Sequence, residues 1–389
     1  MSFFLARLLK GVWIMKVKKY ILSLSLITLM QSLVFATTQE GVDAYNKGEY
    51  QDAYTLLTPE AANGDAQAQY LLGKMYYNAQ GVSEDRLKAE QLLLDSAHQG
   101  NGDAQSLLGD FYWDNSPEGY ARSISWYQEA ADQNNASGQY NMGYVYDRGN
   151  GVPVNHETAL DWYKKSAAQN NADALFMIGY YYESGTGVGA DIKKAMEYYI
   201  KASTLGDTDA NRNLGLIYYR GDNGTPDYNQ AFYYFQKAAD QGDATAQRFL
   251  GVLYGAGKIG ESDPQKAFSW YTKSAKGGDI IGEYVVGLSY LYGSGVDKNL
   301  VQAINWIRTS AEHGYGPAQN QLGINYRDGI GISANPIEAY AWFAVAVHNS
   351  PDDETIAENL SNMEKILSAD DLVKAKDLGN EYIEKYPAS

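Results

Sequence analysis

The chain has 389 residues, 45% of them hydrophobic, a formal net charge of −16 and no cysteine. It therefore has ample apolar material for a large core, and the missing cysteines exclude disulfides, thiolate metal sites and a thiol nucleophile. The acidic balance repels phosphate backbones and anionic lipid heads, which argues against nucleic acid and peripheral membrane partners and favours neutral or basic ones.

In chain order, Met15 opens MKVKKY, with Lys16, Lys18 and Lys19, followed by the apolar ILSLSLITLM and then SLVFATTQEG. A basic start, an apolar stretch and the small residues Val34 and Ala36 fit a secretory signal peptide cleaved after Ala36. The first fourteen residues then read as an upstream start. The rival is an uncleaved anchor, but Ile21 to Ala36 is short of the roughly 20 apolar residues of a spanning helix. No cysteine follows the apolar stretch, as a lipoprotein anchor requires. The expectation is an exported chain, periplasmic or secreted, with no membrane anchor after cleavage.

From there the sequence repeats. An aliphatic residue, a glycine and, three positions on, a tyrosine recur at Gly73, Gly109, Gly143, Gly179, Gly215, Gly251, Gly287 and Gly323, every 36 residues apart from one interval of 34. A second series of small residues keeps the same register: Ala53, Ala89, Ser123, Ala159, Ala195, Ala231, Ala267, Ala303 and Ala339. Three residues after each stands a bulky one, Leu56, Leu92, Trp126, Trp162, Tyr198, Tyr234, Trp270, Trp306 and Trp342. Such spacings describe one apolar face of a helix, and the intervening RGNGVPVN, SGTGVGAD, GSGVDKN and DGIGISANP are turns. Each repeat thus reads as helix A, turn, helix B, turn. A single pair cannot bury its apolar face, so consecutive pairs must stack. Glycine costs a helix about 1 kcal/mol against alanine, so the eight in register need a packing reason. The expectation is close helix approach, with the bulky residue of helix B filling the remaining space. If Trp270 is buried there, Trp270→Ala costs roughly 3–5 kcal/mol.

Gly64-Asp-Ala-Gln-Ala-Gln-Tyr-Leu-Leu-Gly73-Lys-Met-Tyr76, then Gly81-Val82, Ala89 and Ala97, resembles the Sel-1-like repeat, a longer relative of the tetratricopeptide repeat. The resemblance spans about residues 64–347 as eight repeats, and EGVDAYNKGEYQDAYTLL, within residues 37–63, resembles the tetratricopeptide-like pair that opens such arrays. It implies an all-α, right-handed α-solenoid of stacked helix-turn-helix repeats. Two repeats depart from the pattern. The second lacks two residues and its GxG turn, reading DNSPEGYARS, and the seventh has Ile280 and Gly282 where alanines are usual. Over residues 348–389 the period ends, and helix starts at Ser350-Pro351 and at Ser368 with Asp371 imply a C-terminal helical cap, polar outside.

Catalytic signals are weak. Gly185-Thr-Gly187 and its relatives lack the strand and the Gly-Lys-Ser/Thr of a phosphate loop and read as turns. His98, His156, His313 and His348 lie far apart without metal-ligand spacing, and His98 and His313 suit the ends of second helices. Some cysteine-rich members of the resembled family have β-lactamase-like activity, but this chain has neither cysteine nor Ser-x-x-Lys. No catalytic residue, cofactor or metal is expected.

Binding remains. The positions three before and one after the helix-A glycine oppose the constant face and vary between repeats. The resemblance to tetratricopeptide arrays implies that helix A lines the concave side. Tyr140, Tyr144, Phe176 and Tyr180 then form an aromatic cluster, followed by Arg212, Arg248 and Tyr284. Tyr and Arg anchor interfaces, so these seven are candidate partner-binding residues. The equally weighted alternative is that they pack one helix A against the next. The functional expectation is a monomeric scaffold for a protein or peptide, in an adaptor, regulatory or host-interaction role. Glycan or polysaccharide-assembly binding by the tyrosine-rich groove ranks second, and a cell-wall enzyme last.

Overall fold

The computed structural model describes residues 37–388, and the signal peptide expected over residues 1–36 lies outside the described residues. All regular structure described is helical. The chain divides into two compact units, up to Ala190 and from Asp191.

The N-terminal unit holds α1 (residues 37–46), α2 (Tyr50–Ala62), α3 (Ala66–Tyr77), α4 (Arg86–Ala97), α5 (Gly102–Tyr112), α6 (Pro117–Asp132), α7 (Ala136–Arg148), α8 (His156–Ala167) and α9 (Ala172–Ser184). The C-terminal unit holds α10 (Ile192–Thr204), α11 (Thr208–Arg220), α12 (Tyr228–Asp240), α13 (Ala244–Gly255), α14 (Pro264–Lys276), α15 (Ile280–Tyr292), α16 (Leu300–Glu312), α17 (Gly316–Asp328), α18 (Pro336–Asn349), α19 (Glu354–Ile366) and α20 (Ala369–Lys385). Within each unit the helices pack pairwise in chain order, A on B and B on the next A.

Helix starts follow from capping. Asp65 accepts from the Ala68 amide, Asn101 from Ala104, Asp243 from Ala246 and Asp279 from Gly282. Each cap satisfies an orphan amide, for about 1 kcal/mol. Much of the acidic charge is thus spent on local structure. Helix A ends on a left-handed glycine at Gly149, Gly185, Gly221, Gly293 and Gly329.

Helix-A glycines are close-contact points. A Cβ on Gly109 meets the Tyr127 ring at 2.1 Å, on Gly143 the Tyr163 ring at 2.6 Å, on Gly215 the Phe235 ring at 2.5 Å and on Gly323 the Phe343 ring at 2.7 Å. The filler is therefore four residues after the small residue of helix B, one later than the sequence suggested. At about 100° per residue, the fourth position lies roughly 40° from the small residue and the third roughly 60° away on the other side. Trp126, Trp162, Trp270 and Trp306 accordingly stand half-buried at the edge, whereas Phe235 and Tyr163 are buried. A similar one-step shift occurs on α9, where Tyr181 is buried and Tyr182 only partly so.

Buried amides tie repeats together. Gln69 donates to the Ala61 carbonyl at the end of the preceding helix B and accepts from Gln99 at 2.7 Å. Gln105 and Gln319 repeat the arrangement with Ala97 and Gln133, and with Ala311 and Asn349. In the seventh repeat Glu283 and His313 take these places, 2.9 Å apart. Gly282 there lies against Ser274, whose Oγ is 2.6 Å from where a Cβ would stand.

At the C-terminus α19 and α20 pack on α18. Trp342 is 2% exposed because Tyr382 and Tyr386 cover it, with ring centroids 4.8 and 5.2 Å away. Ser368 caps α20 as expected, whereas α19 starts at Glu354 under an Asp353 cap, later than Ser350-Pro351.

Candidate functional site: an aromatic cleft between α5 and α7

The departure in the second repeat builds the most distinctive surface of the N-terminal unit. Without the two missing residues and the GxG turn, α5 ends not on a left-handed glycine but on Trp113 in extended conformation (φ −71°, ψ 103°). Ser116 and Pro117 then start α6 at once. Trp113 contacts the rings of Tyr120, Tyr127 and Tyr144, with centroids 4.9, 6.3 and 6.1 Å away.

These rings border a cleft of about 390 Å³ lined by Asp110, Trp113, Tyr127, Tyr140, Asn141 and Tyr144. Tyr127 reaches it from helix B across Gly109 and donates its hydroxyl to Asp110 Oδ1 at 2.7 Å. Asn141 donates to the same oxygen at 3.3 Å and to Ser106 Oγ at 3.2 Å. Asp110 Oδ2 accepts no hydrogen bond, and Asp110 makes no ion pair, among the described residues. Asp110 is exposed to solvent, and partial burial of its carboxyl in the cleft raises its pKa, against the pull of the Tyr127 hydrogen bond. Burial and then the Asp110 charge raise the Tyr127 phenol, so it remains a donor. The cleft therefore offers π faces and one open, electron-rich oxygen, which suits a donor or a cation and repels an anion.

Of the seven candidates, the structure brings Tyr140 and Tyr144 together in this cleft. Tyr144 is 37% exposed and Tyr140 packs on Tyr163, centroids 5.6 Å apart. On α9, Tyr180 is 45% exposed and Phe176 half-buried. The remaining three are engaged with the start of the next helix A. Arg212 Nη1 lies 2.9 Å from Asp243 and 2.6 Å from Asp209. Arg248 Nε lies 3.0 and 3.1 Å from the two oxygens of Asp279. Tyr284 meets Tyr315 edge-on at 5.5 Å, and burial, with Tyr315 beside it, pushes its pKa up to about 12.

Asp110, Trp113, Tyr127 and Asn141 escaped the sequence-based choice of candidates. Two signals pointed to them: the shortened repeat beside Trp113, and Tyr127 four residues after Ser123, the position that crosses the glycine.

The Sel1 repeat family matches residues 66–101, 102–135, 136–171, 172–207, 208–243, 244–279, 280–315 and 316–348. Among solved structures, a protective antigen of uropathogenic Escherichia coli with an SLR fold is 30% identical, over 92% of this chain and 85% of its own, with a TM-score of 0.64. A Sel1 repeat protein from Oxalobacter formigenes is 26% identical, over 85% of this chain and 93% of its own, with a TM-score of 0.59. No curated protein matches the chain. Eight matched repeats, with the stacked helix pairs they predict, place this chain in the Sel1 repeat family.

Proposed function

We propose that this chain is an exported bacterial scaffold, periplasmic or secreted, that binds a protein or peptide along the face of its A helices. The observation that carries the reading is the cleft at Asp110, where exposed aromatic surface and an open carboxylate oxygen meet on a rigid repeat frame. Aromatic anchors at a partly desolvated site are the usual source of interface energy. Protein binding is the common use of such arrays, which favours an adaptor, regulatory or host-interaction role over chemistry. Where Asp147 meets His156 at 3.2 Å and the Tyr181 hydroxyl, burial and the Asp147 bond raise the phenol's pKa, so the group serves as a cross-link between helices and not as a nucleophile. A non-catalytic monomer is the state we assign.

Glycan binding is the second reading, favoured by the same rings, since Trp113 and Tyr144 offer faces to a sugar. Immobilised chain separates the two. Single replacement of Tyr140, Tyr144, Phe176 and Tyr180 by serine, followed by capture from envelope and culture-medium extracts, should lower recovery of one protein partner at the first two positions. Undiminished recovery by all four variants would remove the helix-A face from the proposal.

A further inference from the structure

We propose that the cleft at Asp110 receives the guanidinium of an arginine presented by a protein partner. This rests on the scaffold reading above and specifies the chemistry of its partner.

The first ground is charge. Tyr127 and Asn141, both neutral donors, converge on Oδ1 of Asp110, while Oδ2 is left without a donor and the carboxylate without a cation among the described residues. A carboxylate partly withdrawn from water gains more from a charged donor than from a neutral hydroxyl, which leaves its charge uncompensated. The second ground is shape. Trp113 and Tyr144, 6.1 Å apart at 54°, line the cleft together with Asp110, so a flat cation paired with the carboxylate has aromatic surface beside it. Arginine combines that stacking with a planar fork, and lysine does not.

The third ground lies in the chain's own habits. Arg122 sits 3.6 Å from the centre of the Tyr112 ring and Arg86 4.6 Å from that of Phe111. In the C-terminal unit Arg248 rests on Phe249 at 4.8 Å while gripping both oxygens of Asp279. Arg248 stands three residues before its helix-A glycine, the place that Tyr140 takes in the third repeat. At Asp279 the chain itself supplies the guanidinium, whereas among the described residues Asp110 has rings beside it and no paired cation. Arg148 lies over the Tyr144 ring, 5.6 Å from its centre, but its Nε is directed to Asp147 at 3.6 Å and it makes no ion pair with Asp110.

The test uses the full chain and two peptides, acetyl-Gly-Gly-Arg-Gly-Gly-amide and its twin with neutral citrulline for arginine, titrated calorimetrically. The arginine peptide should bind about ten-fold more tightly, the ratio expected of a charge-assisted hydrogen bond. Asp110→Asn should abolish that ratio with its melting curve intact, and Tyr144→Ser should weaken both peptides. Equal binding of the two peptides, or an arginine preference that survives Asp110→Asn, overturns the proposal. A random-peptide display library panned on the same chain separates this inference from the scaffold reading. Binders that contain no arginine but need Tyr144 overturn the arginine pocket and leave the scaffold standing. No enriched peptide, together with binding of a neutral oligosaccharide that needs Tyr144, overturns both.

Discussion

In the third repeat Tyr140 and Tyr144 border an open cleft whose carboxylate has no cation. In the fifth, sixth and seventh repeats the position of Tyr140 is held by Arg212, Arg248 and Tyr284, and each is spent on the N-cap residue of the next helix A. At that N-cap, Asp243 and Asp279 each bind an amide of their own helix and an arginine of the preceding helix A. Tyr315, which offers no capping side chain, meets a tyrosine instead. One repeat position can therefore be a staple or a landing place, depending on what the next repeat puts opposite it. The alternative that these residues pack one helix A on the next describes the C-terminal unit well.

The largest effect that can break this contrast comes from beneath the face. Phe235 is buried over Gly215 and has no hydroxyl to offer, so Phe235→Ala should cost about 3–5 kcal/mol in urea denaturation. Trp270→Ala, at a half-buried edge with Lys273 3.8 Å above the ring, should cost clearly less. Equal losses would restore the tryptophan to the role first expected of it.

Next in size is the staple. The side chains of Arg248 and Asp279 are 17% and 8% exposed, so solvent screens the pair little. Arg248→Ala should destabilise by about 1–3 kcal/mol, the range for a hydrogen-bonded charge left short of its partner. Tyr144→Ser in the cleft should cost less than Arg248→Ala, because the ring is 37% exposed and leaves no charge unpaired in the core. If Arg248→Ala costs as little, the arginine is free to bind, and the C-terminal unit offers a landing place as well.

The helices were legible because stacking forces one period on glycine, small residue and turn alike, so the register shows in a single chain. The filler was missed by one residue because positions three and four both lie near the small residue's face, and the tryptophans drew the eye to the wrong one. The ion pairs were written in the sequence at a spacing of 31: Arg212 with Asp243 and Arg248 with Asp279. That number is one helix hairpin less a turn, and it becomes meaningful only once the stacking register is known. Trp113 was the least legible, since its place depends on what two missing residues do to a turn.

The smallest effect is the most telling about the cleft. Desolvation raises the folded-state pKa of Asp110 above its unfolded value, so in the window between the two the folded chain holds a proton that the unfolded chain has lost. Folding is therefore helped by this group at low pH, and the help fades as pH rises through the ordinary carboxylate range to the raised value. Above it the ionised carboxylate opposes folding. Asp110→Asn keeps the shape and an acceptor for Tyr127 but removes the charge, so at neutral pH it should equal or exceed the parent in stability. The difference should shrink on acidification through that window and vanish below it, as read from urea midpoints at a series of pH values. A variant less stable than the parent at neutral pH would mean that the charge is already compensated within the chain, by the hydrogen bonds from Tyr127 and Asn141, and the cleft would then join the staples of the C-terminal unit.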